Sequence, residues 1–376
     1  MPQPLTRRSL ARLLGAAAGA SLLDAPRLGA SSRATPSPAA GPIRLNANEN
    51  PYGPCPRALA ALGDCGAAAA RYPGAARTRV RESIARLHGV APGQVVLGCG
   101  SSEILRMADA AFLAPERRIV AAEPTFEAVL DYAKVTRAEP VKVPLTADFR
   151  HDLPAMAAAC DRSTGLVYVC NPNNPTGTIV SGRELEAFLE RVPPSCVVLV
   201  DEAYHHLVDD PSYRSALDIA RGRENVVVAR TFSKIYGMAG MRLGYAVGTE
   251  ARMAAMDEYT SYDNANEAVL AMAVASLSDD ASVAERRRLL NDTRRWLCAE
   301  LDRDRRRYIP SHANFVMIDV GEDVVPVGEK FRARGILVGR KFPSLPNWLR
   351  VSIGTREQMT DFVAALRDIV PARAAA

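Results

Sequence analysis

The chain has 376 residues, 48% of them hydrophobic, which is ample for a large core arranged in two lobes. Its formal charge is +5, and residues 1–40 supply five arginines against one aspartate. The remaining 42 basic and 41 acidic residues exclude the broad basic face that nucleic-acid binding needs. Seven scattered cysteines form no C-x-x-C pair, and the five histidines show no metal-ligand spacing, so no metal site is expected. His205-His206 reads as a pair at a helix start. A disulfide such as Cys55–Cys65 stays open. Cys99, Cys170 and Cys196 stand in or beside apolar runs and are expected to be buried as small hydrophobes.

The first element is a leader. Thr6-Arg7-Arg8-Ser9-Leu10 carries paired arginines, a mildly apolar stretch follows at 13–23, and Leu28-Gly29-Ala30 offers a small-residue cleavage site. The stretch is too short and too weakly apolar to span a membrane. Residues 1–30 therefore resemble a twin-arginine export signal, a pathway that carries folded proteins, and the expected location is the periplasm. The alternative is an arginine-rich extension on a cytoplasmic protein. Nothing that binds a membrane is left once the leader is cleaved. Residues 31–42, rich in Pro, Ser and Ala, read as a linker.

From residue 72 to 270 apolar runs alternate with helical stretches. The runs recur at 95–97, 118–122, 166–170, 196–200, 226–229 and 244–247, the pattern of an α/β fold whose mostly parallel sheet is sandwiched by helices. After 280 the pattern changes to a charged helix at 284–305, apolar runs at 314–319, 335–338 and 348–353, and a final helix at 356–369. This predicts a large domain over 71–280 and a small α+β domain over 281–376, joined by an N-terminal segment at 43–70.

Four strand ends carry chemistry. Val95-Val96-Leu97 runs into Gly98-Cys99-Gly100-Ser101-Ser102-Glu103 and then a helix, the strand–glycine turn–helix arrangement of an anion site. Leu166-Val167-Tyr168-Val169-Cys170 leads to Asn171-Pro172-Asn173-Asn174-Pro175-Thr176-Gly177, a turn stiff enough to aim an asparagine. Val197-Val198-Leu199-Val200 ends on Asp201, followed by Glu202-Ala203-Tyr204. A carboxylate at that end of a buried strand points into the ligand crevice of an open sheet. Last comes Thr231-Phe232-Ser233-Lys234, with Arg242 eight residues on. An amine for a Schiff base, a carboxylate for a ring nitrogen and an anchored phosphate are what pyridoxal 5′-phosphate requires. Lys234 is the covalent attachment point and acid/base, its pKa lowered by the cationic ring and Arg242. Asp201 holds the ring nitrogen, Tyr204 and Asn174 donate to the ring's phenolate oxygen, and Ser101, Ser102, Glu103, Thr231, Ser233 and Arg242 hold the phosphate.

With these motifs the chain resembles the fold-type I aminotransferases of class I/II, and within them the histidinol-phosphate aminotransferases, from about residue 43 to 370. Leu45-Asn46-Ala47-Asn48-Glu49-Asn50-Pro51-Tyr52-Gly53-Pro54, Arg71-Tyr72-Pro73, Glu123-Pro124-Thr125-Phe126 and Leu349-Arg350-Val351-Ser352-Ile353-Gly354-Thr355 carry the resemblance. It implies a seven-stranded sheet, Phe126 stacked on the cofactor, and Arg350 on the substrate carboxylate. It also implies Arg340 and Tyr52 at the substrate, and a homodimer in which Tyr72 reaches the neighbouring site. The implied activity is transfer of an amino group from an amino acid or histidinol-phosphate-like amine to a 2-oxo acid, 2-oxoglutarate first, in a ping-pong cycle. Two segments depart from the family pattern, Ser261-Tyr262-Asp263-Asn264-Ala265-Asn266 and the loop at 341–349, and both shape substrate choice. The rival readings are another reaction of the same cofactor (decarboxylation, elimination or oxidation) and a carrier that holds the cofactor without turnover.

Overall fold

A computed structural model describes residues 41–219 and 222–371; the expected export signal and most of the linker lie outside them. The strands are β1 Ile43–Leu45, β2 Val95–Gly98, β3 Arg118–Glu123, β4 Pro140–Pro144, β5 Thr164–Cys170, β6 Val197–Asp201, β7 Val226–Thr231, β8 Gly244–Val247, β9 Tyr308–Ile309, β10 Phe315–Asp319, β11 Ile336–Val338 and β12 Trp348–Ser352. Seven of them form one sheet in the order β2-β8-β7-β6-β5-β3-β4. Pairing is parallel from β4 through to β7, and β8 runs antiparallel to both β7 and β2.

The sheet is buried on both faces, which is why its central strands read as unbroken apolar runs. Leu166, Tyr168, Cys170, Val197 and Leu199 pack on one side with Met107, Val129 and Met253 of the helices Ser101–Phe112, Ala128–Thr136 and Glu250–Asp257. The alternate residues Val167, Val169, Val198 and Val200 pack on the other side with Met156, Leu185 and Phe188. Each fully buried aliphatic side chain there contributes roughly 1.5–3 kcal/mol of transfer free energy. The one strand without an apolar run is β4. It is an edge strand with proline at both ends, and only Val143 is buried, as suits a position where an N–H can go unpaired.

Local signals set several helix ends. Ser181 and Thr355 each accept from the N–H three residues on, while Glu184 and Gln358 reach back to the cap N–H, reciprocal caps on Gly182–Arg191 and Arg356–Ile369. The latter helix buries Met359, Phe362, Val363, Leu366 and Ile369, one stripe at helical spacing. After the long helix Asp280–Arg303 the chain forms a three-stranded antiparallel sheet, β12-β10-β9. β1 pairs in parallel with β11, so the N-terminal segment is stitched into this C-terminal part and carries the residues after Leu45 back across the large sheet. Gly237, at φ +68°, lets Gly53 of that segment approach so closely that a Cβ would strike its carbonyl. All seven cysteines are unpaired. Cys170 and Cys196 are buried, but Cys99 is exposed, because it sits in the glycine turn rather than in the strand before it.

Candidate active site

The C-terminal ends of the parallel strands open onto a cavity of about 230 Å³. Asp201 ends β6 and Thr231 ends β7, while Asn174 follows β5 and Ser101 and Ser102 follow β2. These five line the cavity together with Phe126, Tyr204, Ser233, Lys234, Arg242, Arg340 and Arg350. Residues spread over 250 positions thus meet where an open α/β sheet places its ligand crevice.

Lys234 Nζ donates to the carbonyl of Asn48 at 3.0 Å and lies 5.5 Å from the centre of the Tyr204 ring. Its pKa is pulled down to about 8, first by burial and then by Arg350. Arg242, the protein cation invoked from sequence, is a minor contributor, and Glu49 and Asp201 oppose the shift. Arg242 turns its Nη1 to Ser233 Oγ at 3.4 Å and to the Ala239 carbonyl at 3.0 Å.

Asp201 is buried. Tyr168 OH donates to its Oδ2 at 2.8 Å, and the Ala203 N–H to its Oδ1 at 3.0 Å. Burial nevertheless raises its pKa, so the two hydrogen bonds do not by themselves compensate the charge. A cation placed against it would. Tyr204 is also buried and its phenol pKa is raised by that burial. Its hydroxyl oxygen accepts from Asn48 Nδ2 at 3.1 Å, which leaves the phenolic proton to be given elsewhere. Asn174 Oδ1 accepts from Arg350 Nη1 at 2.8 Å, which orients the amide so that its NH₂ is the free end. The neighbouring Asn173 donates to the Pro124 carbonyl at 3.1 Å and to Thr176 Oγ1 at 3.0 Å, and accepts from Thr125 Oγ1 at 2.9 Å. That ties the loop after β5 to the loop after β3, which carries Phe126.

The anion cradle is built from the start of the helix Ser101–Phe112. Its first N–H groups have no partner within the helix, and Ser101, Ser102, Thr231 and Ser233 add hydroxyls around them. Gly100 sits at φ +76°, and a Cβ there would collide with the Arg242 guanidinium. Glycine at this position is what lets the cation close on the turn.

Two residues expected at the site are placed elsewhere. Glu103 does not line the cavity. Its carboxylate accepts from the Cys99 N–H and Asn264 Nδ2, both at 2.6 Å, and from the Ser261 N–H and Arg106 at 3.2 Å. It organises the turn from behind, where a second anion does not face the first. Tyr52 also lies off the cavity, packed against the core cluster that runs from Leu45 to Val370, with Arg286 5.2 Å from its ring centre. Tyr72, expected at a neighbouring subunit's site, is 88% exposed and does not line this cavity.

Two residues central to the arrangement were missed from sequence. Asn48 is 2% exposed and adopts φ +52°. Besides its links to Lys234 and Tyr204, its N–H donates to Ser352 Oγ at 2.8 Å and its carbonyl accepts from Asn314 Nδ2 at 3.0 Å. In the sequence Tyr168 is only a member of the apolar run 166–170. In the sheet Cys170 pairs with Asp201, so Tyr168 is the diagonal neighbour, within reach of a long side chain. A phenol two residues before the end of a strand beside an acid-terminated strand was the available signal.

The family profile of aminotransferase class I and II matches residues 40–366. The chain belongs to the class I and II aminotransferases. It is 43% identical over 329 residues to the histidinol-phosphate aminotransferase of Symbiobacterium thermophilum, covering 86% of this chain and 90% of the relative. It is 40% identical over 331 residues to that of Moorella thermoacetica, covering 87% and 85%. A solved histidinol-phosphate aminotransferase from Sinorhizobium meliloti, in complex with pyridoxal-5′-phosphate, superposes with a TM-score of 0.82 at 26% identity, covering 87% of this chain and 90% of that one.

The site of this aminotransferase fits that cofactor. The under-compensated Asp201 matches a protonated ring nitrogen, the Tyr204 hydroxyl and Asn174 amide match a ring oxygen, and Phe126 offers an aromatic face. The Gly100–Ser102 turn, with Arg242, matches a phosphate.

Proposed function

We propose that this pyridoxal-phosphate-dependent aminotransferase takes its amino group from an amine with an anionic tail, histidinol phosphate or an acidic amino acid, and delivers it to 2-oxoglutarate in a ping-pong cycle. The observation that carries this reading is the pair of guanidinium groups at one end of the cavity. Arg350 lies next to Asn174, and Arg340 lies nearer the surface, with guanidinium centres 5.2 and 4.5 Å from the Phe342 ring. Arg350 binds the carboxylate of an amino or 2-oxo acid as a bidentate fork, and Arg340 binds the tail anion. The relatives named above are histidinol-phosphate aminotransferases, which supports a phosphate on that tail.

When bound, the cofactor supplies an electron sink that makes the bond to the substrate α-hydrogen labile. The chain supplies the rest. Lys234, with its depressed pKa, is the covalent anchor and then the base that moves the proton from the substrate α-carbon. Asp201, braced by Tyr168, keeps the ring nitrogen charged. Tyr204 and Asn174 hold the ring oxygen, and Phe126 holds the ring plane. The Ser101–Ser102 helix start, Thr231, Ser233 and Arg242 would hold the phosphate while Lys234 is released from the ring to act as the base.

The enzyme acts as a homodimer in which the exposed Tyr72 reaches the partner's site. Residues 1–30, with Arg7 and Arg8, direct it through the twin-arginine pathway to the periplasm. Incubation of purified protein with single donors tests the chemistry. Conversion of the lysine-bound cofactor to its amine form, without oxygen uptake or CO₂ release, is expected for histidinol phosphate or glutamate, with recovery on adding 2-oxoglutarate. Release of CO₂, or no conversion with any donor, would overturn it. Sedimentation of wild type and cell fractionation with Arg7 and Arg8 changed to lysine test the dimer and the export.

A further inference from the structure

The Arg340 side chain is not waiting free in the cavity. Its Nη2 is ion-paired to Glu127 Oε2, and both residues line the same space. Glu127 directly follows Phe126 and begins the helix Ala128–Thr136 of the large sheet, whereas Arg340 follows β11 of the C-terminal part. The pair therefore bridges the mouth of the site from side to side. Two cations, Arg340 and Arg350, lie against one aromatic ring, and Glu127 is the carboxylate facing them. Burial, and after it Arg340, lower the Arg350 pKa, and Glu127 opposes that shift slightly.

We propose that Glu127 is a specificity-determining residue: it competes with the substrate's tail anion for Arg340 and so handicaps acidic-tailed substrates relative to neutral ones. The inference rests on the reading of Arg340 as the tail-binding residue. A carboxylate or phosphomonoester that docks on Arg340 must first release the guanidinium from Glu127, and the displaced carboxylate then remains beside the incoming anion. A donor without a tail charge does neither. The side chains of Arg340 and Glu127 are 55% and 41% exposed, so the pair is well solvated. Such pairs are weak enough for a bound anion to displace and strong enough to change binding about twofold to fivefold.

The test compares wild type, Glu127→Gln, Arg340→Ala and the double variant as holoenzymes. The readout is the ratio of KM for glutamate and for histidinol phosphate to KM for leucine, with a calorimetric Kd for succinate, a dicarboxylate that carries no amine. Glu127→Gln is expected to lower the ratio and tighten succinate about twofold to fivefold, and the effect is expected to vanish in the Arg340→Ala background. An unchanged ratio in Glu127→Gln, while Arg340→Ala raises it, would sink the inference and leave the role of Arg340 intact. A ratio that rises in Glu127→Gln would overturn it in a different way, by making Glu127 a support that holds Arg340 in place. If Arg340→Ala alone leaves both ratio and Kd unchanged, Arg340 does not bind the tail, and both readings fall.

Discussion

At the residue scale the lysine is the centre, and its surroundings explain its reactivity. Burial and Arg350 bring its pKa to about 8, so a useful fraction of the amine is neutral at ordinary pH. Lys234→Ala is expected to cut transamination at least about a thousandfold and abolish the visible absorbance of the lysine-bound cofactor. Retention of that absorbance would remove Lys234 from its role. Tyr168 acts one step further back. Tyr168→Phe deletes a hydrogen bond to a buried carboxylate that has only one other donor among the contacts described, the Ala203 N–H. Cofactor affinity, read by spectral titration, should fall about tenfold, as expected for one bond to a charged group. An unchanged affinity would show that the Ala203 N–H suffices. Lys234 was legible because an amine, an acid and an anion turn recur in a fixed order along the chain. Tyr168 was not, since its role exists only in the register between β5 and β6.

At the scale of elements, Glu103 shows how a strand–turn–helix unit is fastened. One carboxylate on the first turn of the helix Ser101–Phe112 accepts from the Cys99 N–H, the Ser261 N–H and Asn264 Nδ2. Those bonds hold its pKa down although burial works against them. Glu103→Gln puts an NH₂ among groups that are already donors. It should cost about 1–3 kcal/mol of stability, seen as a lower denaturation midpoint, and weaken cofactor retention because the anion turn loosens. Unchanged stability would mean that the segment at 261–264 is held by other contacts. By its place in the Gly98–Glu103 motif this glutamate is expected at the phosphate. The motif locates the turn but not the direction of each side chain, and like-charge repulsion decides that. The β4 edge strand was equally hard to read, since half-exposed edges lack the apolar run that marks their neighbours.

At the scale of the molecule, packing gathers histidines from two separate helical segments, Gly74–His88 and His205–Leu207. His88, His205 and His206 border a cavity with Arg230, whose guanidinium is paired with the buried Glu202 at 2.8 Å. Burial first, and then Arg230, hold their pKa values down: to about 4 for His88, about 3 for His206, and well below the usual range for His205. In the unfolded chain they titrate near ~6.5. Between that value and 4 the unfolded state binds more protons, so stability is present above about pH 6.5 and is lost as pH falls. Denaturation midpoints measured at pH 7.5, 5.5 and 4.5 should decline steadily, and His206→Gln should flatten the decline. A flat profile in wild type would exclude the cluster as the acid-labile point.

The sequence by itself determined the class of this protein. Alternating strands and helices, four chemically loaded strand ends and the family motifs are local in the chain, and burial on both faces of a parallel sheet writes them as runs that can be read without coordinates. Tertiary structure decided the rest. It turned Glu103 away from the cavity and made Arg350 a stronger influence on the lysine than Arg242. It brought Asn48 from the N-terminal segment onto Lys234 and Tyr204, and set Glu127 against Arg340. Each of these depends on the distance between charges or hydrogen-bonding groups far apart in the chain, and such distances are set by packing and strand register, which residue order does not carry.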